Sequence, residues 1–378
     1  MIERMNSLLY CEKKDLNYIR KFFIISRIIM LIYFVLESYM SITPVKFLNL
    51  DIEHYYDIAL NGYNQAYQFA FFPLFPMIFR VCLWICDYQI GAYIFNLGVS
   101  YLSTILIYKI AKDIFNYDSD MVKNIITYWL LSPIAFFVTI PYTEGVFLFL
   151  TLLSFYLYRK NSNPYILGVV IGLNALSKSW ALMFFLVLFG IMVFDFLRKE
   201  TKFFYIIKTY VVASLIMLLY PIYCFLQTGN LFFFSKVQYL EWNRVPSNLV
   251  DILLTDMEWL TKEINENTWS VLMLIPLCLY LYYIVYGFVN ILRKNNHFTL
   301  SNKLFIAGSL VVCFYVMTSC KIDWDGGLAS TSQWRALASL APMYFFPVSK
   351  MHLKISSVIF TIFSLIIIFC FCSNCLLC

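Results

Sequence analysis

The stretch DIEHYYDIALNGYNQAYQFAFFPLFP, residues 51–76, is a polar segment in an otherwise strongly apolar chain. It opens with four titratable side chains close together: Asp51, Glu53, His54 and Asp57. The chain has 378 residues, of which 61% are hydrophobic and only 13% are charged, whereas about a quarter of the residues in soluble domains are charged. The composition therefore predicts a polytopic membrane protein, and we expect any chemistry to start in this segment.

Apolar segments on both sides of the polar stretch are long enough to cross a bilayer, which takes about 20 residues. We predict spans near 18–40, 90–108, 124–141, 144–158, 164–177, 180–197, 209–227, 268–292, 304–320, 335–349 and 355–373. The expected fold class is an all-α integral membrane protein with about eleven transmembrane helices. Neither a repeat nor a change in composition marks a boundary, so residues 1–378 are expected to form one domain.

The positions of the basic residues predict the topology. If the N-terminus is inside, most of the 28 Lys and Arg residues fall in inside loops, where membrane proteins collect positive charge. Loops can alternate between the inside and the outside in this way only if residues 70–88 do not cross the membrane. Pro73 and Pro76 interrupt a helix there, so the segment is predicted to lie in the outer interface. Residues 41–89 then form a first outer loop that contains interfacial helices.

Asp51 has two interpretations. It precedes a segment with helical spacing, in which Tyr55 and Ile58 recur on one face, and as an N-cap it would stabilise that helix by roughly 1 kcal/mol. Alternatively, a carboxylate held at the membrane surface could accept a proton from a substrate hydroxyl as a general base. A metal site of Asp51, His54 and Asp57 is disfavoured, because three ligands on one and a half turns cannot all face one ion.

A second group of candidate residues lies in LSPIAFFVTIPYTEGVF, residues 131–147. Pro133 predicts a kink in the apolar run, and residues 141–144 predict a tight outer turn between two spans. Glu144 is either a cap at a helix end or a ligand for a sugar hydroxyl. The predicted topology places it on the same face as Asp51.

Basic side chains form a third group on the predicted outer face: Lys178, Lys236, Arg244 and Arg335. A charge at a membrane-embedded helix end is costly and is often functional. Anionic lipid head groups would satisfy any one of them. Together they suggest a phosphate site, since Arg holds phosphate bidentately and Lys acts as a point charge.

Several classes of ligand are not expected. The sequence lacks a Gly-rich phosphate loop, which argues against a nucleotide substrate and in favour of one already in the membrane. The basic residues report topology, so no nucleic-acid partner is expected, and neither is a cofactor or metal ion. The cysteines follow no disulfide framework, and those of the tail CFCSNCLLC are interpreted as lipid-embedded thiols.

Two motifs in this order resemble the GPI mannosyltransferase 2 family and its prokaryotic homologues. The first comprises Asp51, Glu53-His54-Tyr55, Ile58-Ala59, Gly62-Tyr63, Phe69-Ala70-Phe71-Phe72-Pro73 and Phe75-Pro76; the second comprises Leu131-Ser132-Pro133 with Tyr142-Thr143-Glu144, followed by Leu176-Ser177-Lys178-Ser179. The resemblance covers residues 45–180 well, and the C-terminal half only by hydropathy and Arg335. Leu50 stands where the family usually has Trp, and Lys178 where Arg is usual.

The resemblance implies a C-type glycosyltransferase that moves mannose from a polyprenyl phosphate mannose donor, with inversion, to a hydroxyl of a lipid-linked or GPI-like glycan on the outer or lumenal face. Asp51 would be the general base. The implied substrate-binding residues are Glu53, His54, Tyr55, Tyr142, Glu144, Lys178, Arg244 and Arg335. The short chain favours a prokaryotic cytoplasmic membrane, with the endoplasmic reticulum membrane as the alternative, and a small membrane partner subunit stays open.

Two rival functions remain at this point. A transporter or flippase of lipid-linked sugars would place its polar residues at the bilayer midplane. Arg27 and Arg80 lie deep in apolar stretches, and neither has an obvious acidic partner within the membrane, which favours the enzyme. An inactive scaffold of the same fold is the other alternative, for which Leu50 and Lys178 are mild support.

Overall fold

The computed structural model describes residues 13–40, 51–85, 88–132, 134–246, 298–317, 319–322 and 328–330, together with isolated positions at 248, 250–251, 254, 285, 289, 291–292 and 361–362. Within these ranges the chain is mostly helical. Arg335, the tail cysteines and the predicted span 335–349 lie outside the described residues. The predicted spans 268–292 and 355–373 are described at single positions only.

The described residues of the first half of the chain form seven α-helices. They are α1 (Lys13–Met40), α2 (Asp51–Asn61), α3 (Leu74–Ile85), α4 (Tyr88–Asp113), α5 (Ser119–Leu131), α6 (Ile134–Thr139) and α7 (Thr143–Arg159), with a 3-10 helix at Ala66–Ala70. The apolar run around Pro133 is divided between α5 and α6, and Ser132 adopts extended dihedral angles at the break. The predicted kink falls on Pro133, which lies outside the described residues; on either side of it the described helices α5 and α6 are separate.

The second half adds α8 (Pro164–Ala175), α9 (Ser179–Leu197), α10 (Phe203–Met217), α11 (Leu219–Thr228), α12 (Phe233–Leu240) and α13 (Leu300–Met317). Helix α11 ends at Gly229, whose φ of 72° is the left-handed conformation that favours glycine. Most of the described residues are thus helical, as expected. The all-α expectation is wrong for a small antiparallel sheet of β1 (Arg244–Pro246), β2 (Ser319–Ile322) and β3 (Leu328–Ser330).

Among the described residues, three helical segments are long and apolar enough to cross a membrane: Ile90–Asp113, Ser179–Leu197 and Phe203–Thr228. Many large apolar side chains on these and neighbouring helices are exposed, among them Ile24, Ile94, Leu215 and Leu226. Apolar surface on this scale is expected where lipid, not water, covers the protein. The architecture indicates a membrane protein. Helix α3 has 12 residues and is about 18 Å long, which is too short to span the ~30 Å hydrocarbon core by itself.

The helices pack around one large apolar core, with Trp129, Phe147 and Phe155 fully buried in it. Helices α8 and α10 approach each other most closely at two glycines of α8. A Cβ atom on Gly168 would lie 2.5 Å from the Thr209 carbonyl oxygen, and one on Gly172 would lie 2.7 Å from the Ile216 Cβ. Small residues four apart allow this close backbone approach between membrane helices.

A second, smaller apolar cluster forms where the 66–72 segment meets the end of α8 and helices α11 and α12. Its buried members are Phe69, Phe72, Leu176, Tyr220, Cys224 and Val237. The backbone amide of Leu74 also donates to the Leu176 carbonyl at 3.0 Å. This cluster holds the polar stretch of residues 51–76 against the second half of the chain. Cys82 and Cys224 are buried free thiols, as the sequence predicts.

Candidate functional site

A cavity of about 540 Å³, part of it open to solvent, lies between the polar stretch and the N-terminus of α9. It is lined by Asp51, Tyr55, Ala70, Phe71, Phe72, Thr143, Ser177, Lys178, Ser179, Trp180, Gln238, Trp242 and Arg244. These residues come from four separate parts of the chain. The cavity therefore combines one carboxylate, two cations and several aromatic rings in one wall.

Helix α2 presents Asp51 to the cavity. The buried face of this helix consists of Ile52, Tyr55, Ile58 and Ala59, which is the predicted helical spacing. Asp51 is half-buried and lies in the first helical turn. The partial positive charge at a helix N-terminus stabilises a carboxylate in that position.

Glu144 and Lys178 form a buried ion pair beside the cavity. Lys178 Nζ lies 2.5 Å from Glu144 Oε1, and the Glu144 side chain is fully buried. The second carboxylate oxygen of Glu144 accepts a hydrogen bond from the Thr143 hydroxyl at 3.4 Å. Lys178 Nζ also lies 3.6 Å from the centre of the Trp180 ring, a cation–π contact. The lysine ammonium is thus fixed between a carboxylate and an indole face.

The tight turn before α7 holds Thr143 and Glu144 in place, and it matches the turn predicted at residues 141–144. The buried side-chain amide of Asn96 donates to the carbonyl oxygens of Ile140 and, at 3.0 Å, of Tyr142. Tyr142 itself is buried, and its ring stacks on Phe137. Its side chain lies behind the cavity wall.

The 66–72 segment owes its shape to Gln68, which is fully buried. Its side-chain oxygen accepts from the backbone amides of Asn64 and Gln65, at 2.8 and 2.9 Å. Its amide nitrogen donates to Asp57 at 2.5 Å, and Asp57 also accepts from Asn61 at 2.6 Å. Asp57 therefore joins α2 to the following loop. The described part of the chain brings no three His, Cys, Asp or Glu side chains together in a way that could hold a metal ion.

Side chains from the second half of the chain bind the carbonyl oxygens of the same loop. The Tyr220 hydroxyl donates to the carbonyls of Phe69 and Phe71, at 2.7 and 3.1 Å. Trp242 Nε1 donates to the Tyr67 carbonyl at 3.1 Å, and Gln238 donates to that of Ala70 at 3.3 Å. Each of these contacts closes a loop of roughly 150 residues or more, so the wall exists only in the folded chain.

Tyr63 donates a further hydrogen bond to the Phe71 carbonyl, at 2.7 Å. Burial raises the pKa of the Tyr63 phenol, because a phenolate would lose its hydration there. The neutral hydroxyl is therefore the form that holds the loop.

His54 belongs to an aromatic group at the edge of the cavity. Its ring centre lies 5.4 Å from that of Tyr67, 5.0 Å from that of Phe71 and 5.6 Å from that of Trp242. Such edge-on and tilted contacts stabilise aromatic clusters. His54 thus supports Phe71 and Trp242, which line the cavity.

The predicted site residues that the structure describes divide into three sets. Asp51, Tyr55, Lys178 and Arg244 meet at the cavity. Three others, Tyr142, Glu144 and His54, lie behind or beside its wall, while Glu53 is exposed on α2, as is Lys236 on α12. Arg335 lies outside the described residues.

Six lining residues stand in the two quoted motifs but were not predicted as site residues: Ala70, Phe71, Phe72, Thr143, Ser177 and Ser179. Three more lay outside those motifs: Trp180, Gln238 and Trp242. Trp180 stands two positions after Lys178. Trp242 stands two positions before Arg244, and an aromatic residue beside an outer-face cation is the signal that could have found it. Gln238 has no comparable signal, because its place follows from the packing of α12.

The chain shows no significant match to any protein-family model, curated protein or solved structure with which we compared it. The resemblance to the GPI mannosyltransferase 2 family therefore stays a prediction, which rests on the two motifs quoted above. The site has to be interpreted from its own geometry.

Proposed function

We propose that the protein is a membrane-embedded mannosyltransferase. It takes mannose from a polyprenyl phosphate mannose donor of the dolichyl type and transfers it, with inversion, to a hydroxyl of a lipid-linked or GPI-like glycan. The choice of mannose and of inversion comes from the family resemblance alone. The cavity supports the wider class, which is transfer of a sugar from a phosphate-linked donor.

The observation that carries the proposal is that Asp51, Lys178 and Arg244 line one cavity. Transfer from a phosphate-linked sugar needs a base for the acceptor hydroxyl and positive charge for the leaving phosphate. The rings of Trp180 and Trp242 offer flat apolar surfaces against which the C–H face of a sugar can pack.

In the proposed reaction, the Asp51 carboxylate takes the proton of the acceptor hydroxyl while that oxygen attacks the anomeric carbon. The bond between the anomeric carbon and the phosphate oxygen breaks, and polyprenyl phosphate leaves with the electron pair. Arg244 suits the phosphate oxygens through paired N–H donors, and Lys178 acts as a point charge. A lipid-bound donor also accords with a chain that has no nucleotide-binding loop.

The proposal includes the finer architecture: about eleven spans in one domain of 1–378, with the site on the outer or lumenal side. Helix α3 supports an interfacial position for the 41–89 loop. Its buried face carries Phe75 and Phe79, while Met77, Val81 and Trp84 are exposed on the other face. A short helix with an exposed apolar face and a Trp suits the membrane surface. A prokaryotic cytoplasmic membrane is the proposed location, and the endoplasmic reticulum membrane is the alternative.

The test is transfer of labelled mannose from polyprenyl phosphate mannose to lipid-extractable product, by membranes that contain matched amounts of protein. We expect Asp51→Asn to lower the rate by about 10²–10⁴-fold, because it keeps the shape but removes the base. The control is Asp120→Asn, since this carboxylate is almost fully exposed on α5, and it should retain full activity. Equal rates for wild type and Asp51→Asn would remove the general base from the proposal. No transfer by the wild type would reject this donor and favour the flippase or scaffold.

A further inference from the structure

A chain of hydrogen bonds connects the helix that carries Asp51 to the ammonium group of Lys178. The Tyr55 hydroxyl donates to the Thr143 hydroxyl at 3.5 Å, and the Thr143 hydroxyl donates to Glu144 at 3.4 Å. Lys178 Nζ donates to the other oxygen of Glu144 at 2.5 Å. Every donor in this chain leads toward Glu144, so a charged carboxylate is the form that satisfies all of them.

We infer that Glu144 is a positioning residue, which fixes the Lys178 ammonium in the cavity wall at a set place relative to Asp51. The inference rests on the proposed function for the phosphate-binding role of Lys178. It differs from the expectation of the resemblance, in which Glu144 itself binds the sugar.

Burial supports this role. The Glu144 side chain is fully buried and that of Lys178 is only 11% exposed, while the cavity is lined by Lys178 and Thr143 rather than by Glu144. A buried ion pair contributes little net stability compared with apolar residues of similar size, because both charges lose their hydration. Its specific effect is geometric, since it gives a flexible lysine one position.

The spacing of residues on α2 connects the position of the Lys178 ammonium to that of Asp51, the proposed base. Tyr55 follows Asp51 by four residues, which places both on the same side of the helix. The hydrogen bond from Tyr55 to Thr143 therefore joins the two charged groups through the turn before α7. Trp180, whose ring lies 3.6 Å from Lys178 Nζ, restrains the ammonium from a second side.

The functional consequence concerns the affinity for the phosphate of the donor. A cation that is already in place costs no side-chain ordering when the phosphate binds. In Glu144→Gln the lysine keeps its charge but loses its fixed position. We expect this variant to raise the KM for the donor several-fold and to change kcat less.

The experiment measures the reactivity of Lys178 directly, in the purified full-length chain in lipid nanodiscs. An amine-acylating reagent is added, and the acetylation rate of Lys178 is determined by peptide mass spectrometry relative to exposed Lys236. In Glu144→Gln the rate at Lys178 should rise by about tenfold, since the amine is no longer held by the carboxylate that fixes and charges it. Thr143→Val should give a smaller increase, and Glu144→Asp should restore slow acetylation at least in part.

The matched control is Glu200→Gln, which removes a half-exposed carboxylate that pairs with Arg198. It should leave the rate at Lys178 unchanged. Equal Lys178 rates in wild type, Glu144→Gln and Thr143→Val would overturn the inference, and the Thr143→Val arm decides if Glu144→Gln does not fold. Because acetylation needs no mannose transfer, the two proposals fail separately. Faster acetylation without any transfer would keep the positioning role and reject the proposed function.

Discussion

Replacement of Lys178 by methionine tests the buried ion pair through stability. Met keeps most of the volume and removes the charge, so the fully buried Glu144 loses its ion pair with Lys178. Removal of one partner of a buried ion pair costs about 3–5 kcal/mol. The companion variant Glu144→Gln with Lys178→Met leaves no charge, and its amide still accepts from the Thr143 hydroxyl. We expect this double variant to lie within about 1–2 kcal/mol of the wild type.

The assay is unfolding in mixed micelles with increasing SDS, followed by tryptophan fluorescence, for the wild type, both single variants and the double variant. A double-mutant cycle on the surface ion pair of Asp120 and Lys123 is the control, since these side chains pair at 3.5 Å at the start of α5. Exposed pairs contribute about 0–1 kcal/mol. The reasoning is refuted if Lys178→Met costs no more than the surface variants, or if the double variant costs the sum of the single ones.

Two further predictions concern the packing of the helices and the aromatic loop. Gly172→Ala should destabilise the chain by about 1–3 kcal/mol, because the new Cβ would lie 2.7 Å from the Ile216 Cβ. Gly190→Ala is the control, since a Cβ at Gly190 meets nothing within 4 Å. Equal melting temperatures for the two variants would contradict this prediction. Burial raises the pKa of Tyr63 above its ordinary value of 10, so its contribution to stability is complete below about pH 10 and is lost as the pH rises further. Tyr63→Phe should flatten the loss of stability between about pH 9 and pH 11, while Tyr165→Phe, at a half-exposed ring, should not.

Much of the local structure could be predicted from the sequence. The apolar runs predict helices, Pro133 predicts the break between α5 and α6, and the helical spacing after Asp51 predicts the buried face of α2. These features depend on the nearest few residues, through backbone sterics and the helical period. The grouping of Asp51 with Lys178 could be expected in outline, because the predicted topology places both at the same face of the membrane.

The side-chain contacts within the site could not be predicted from the sequence. Glu144 is paired with Lys178, not exposed to the cavity, because α7 and the turn before α9 pack side by side. His54 lies among aromatic rings because α2 and the segment around Trp242 meet. Neither contact has a local signal, since each joins residues separated by long stretches of chain.

The sequence by itself therefore determined that this is a mostly helical membrane protein and where most of the described helices lie, since composition and short-range periodicity decide these. Only the tertiary structure decided which charged groups meet, which of them line the cavity and which lie buried behind it. The physical reason is that burial and ion pairing depend on the packing of whole helices. Thr143, Trp180 and Trp242 acquire their places in the wall only when residues 51–72, 143 and 177–180 come together with residues 238–244.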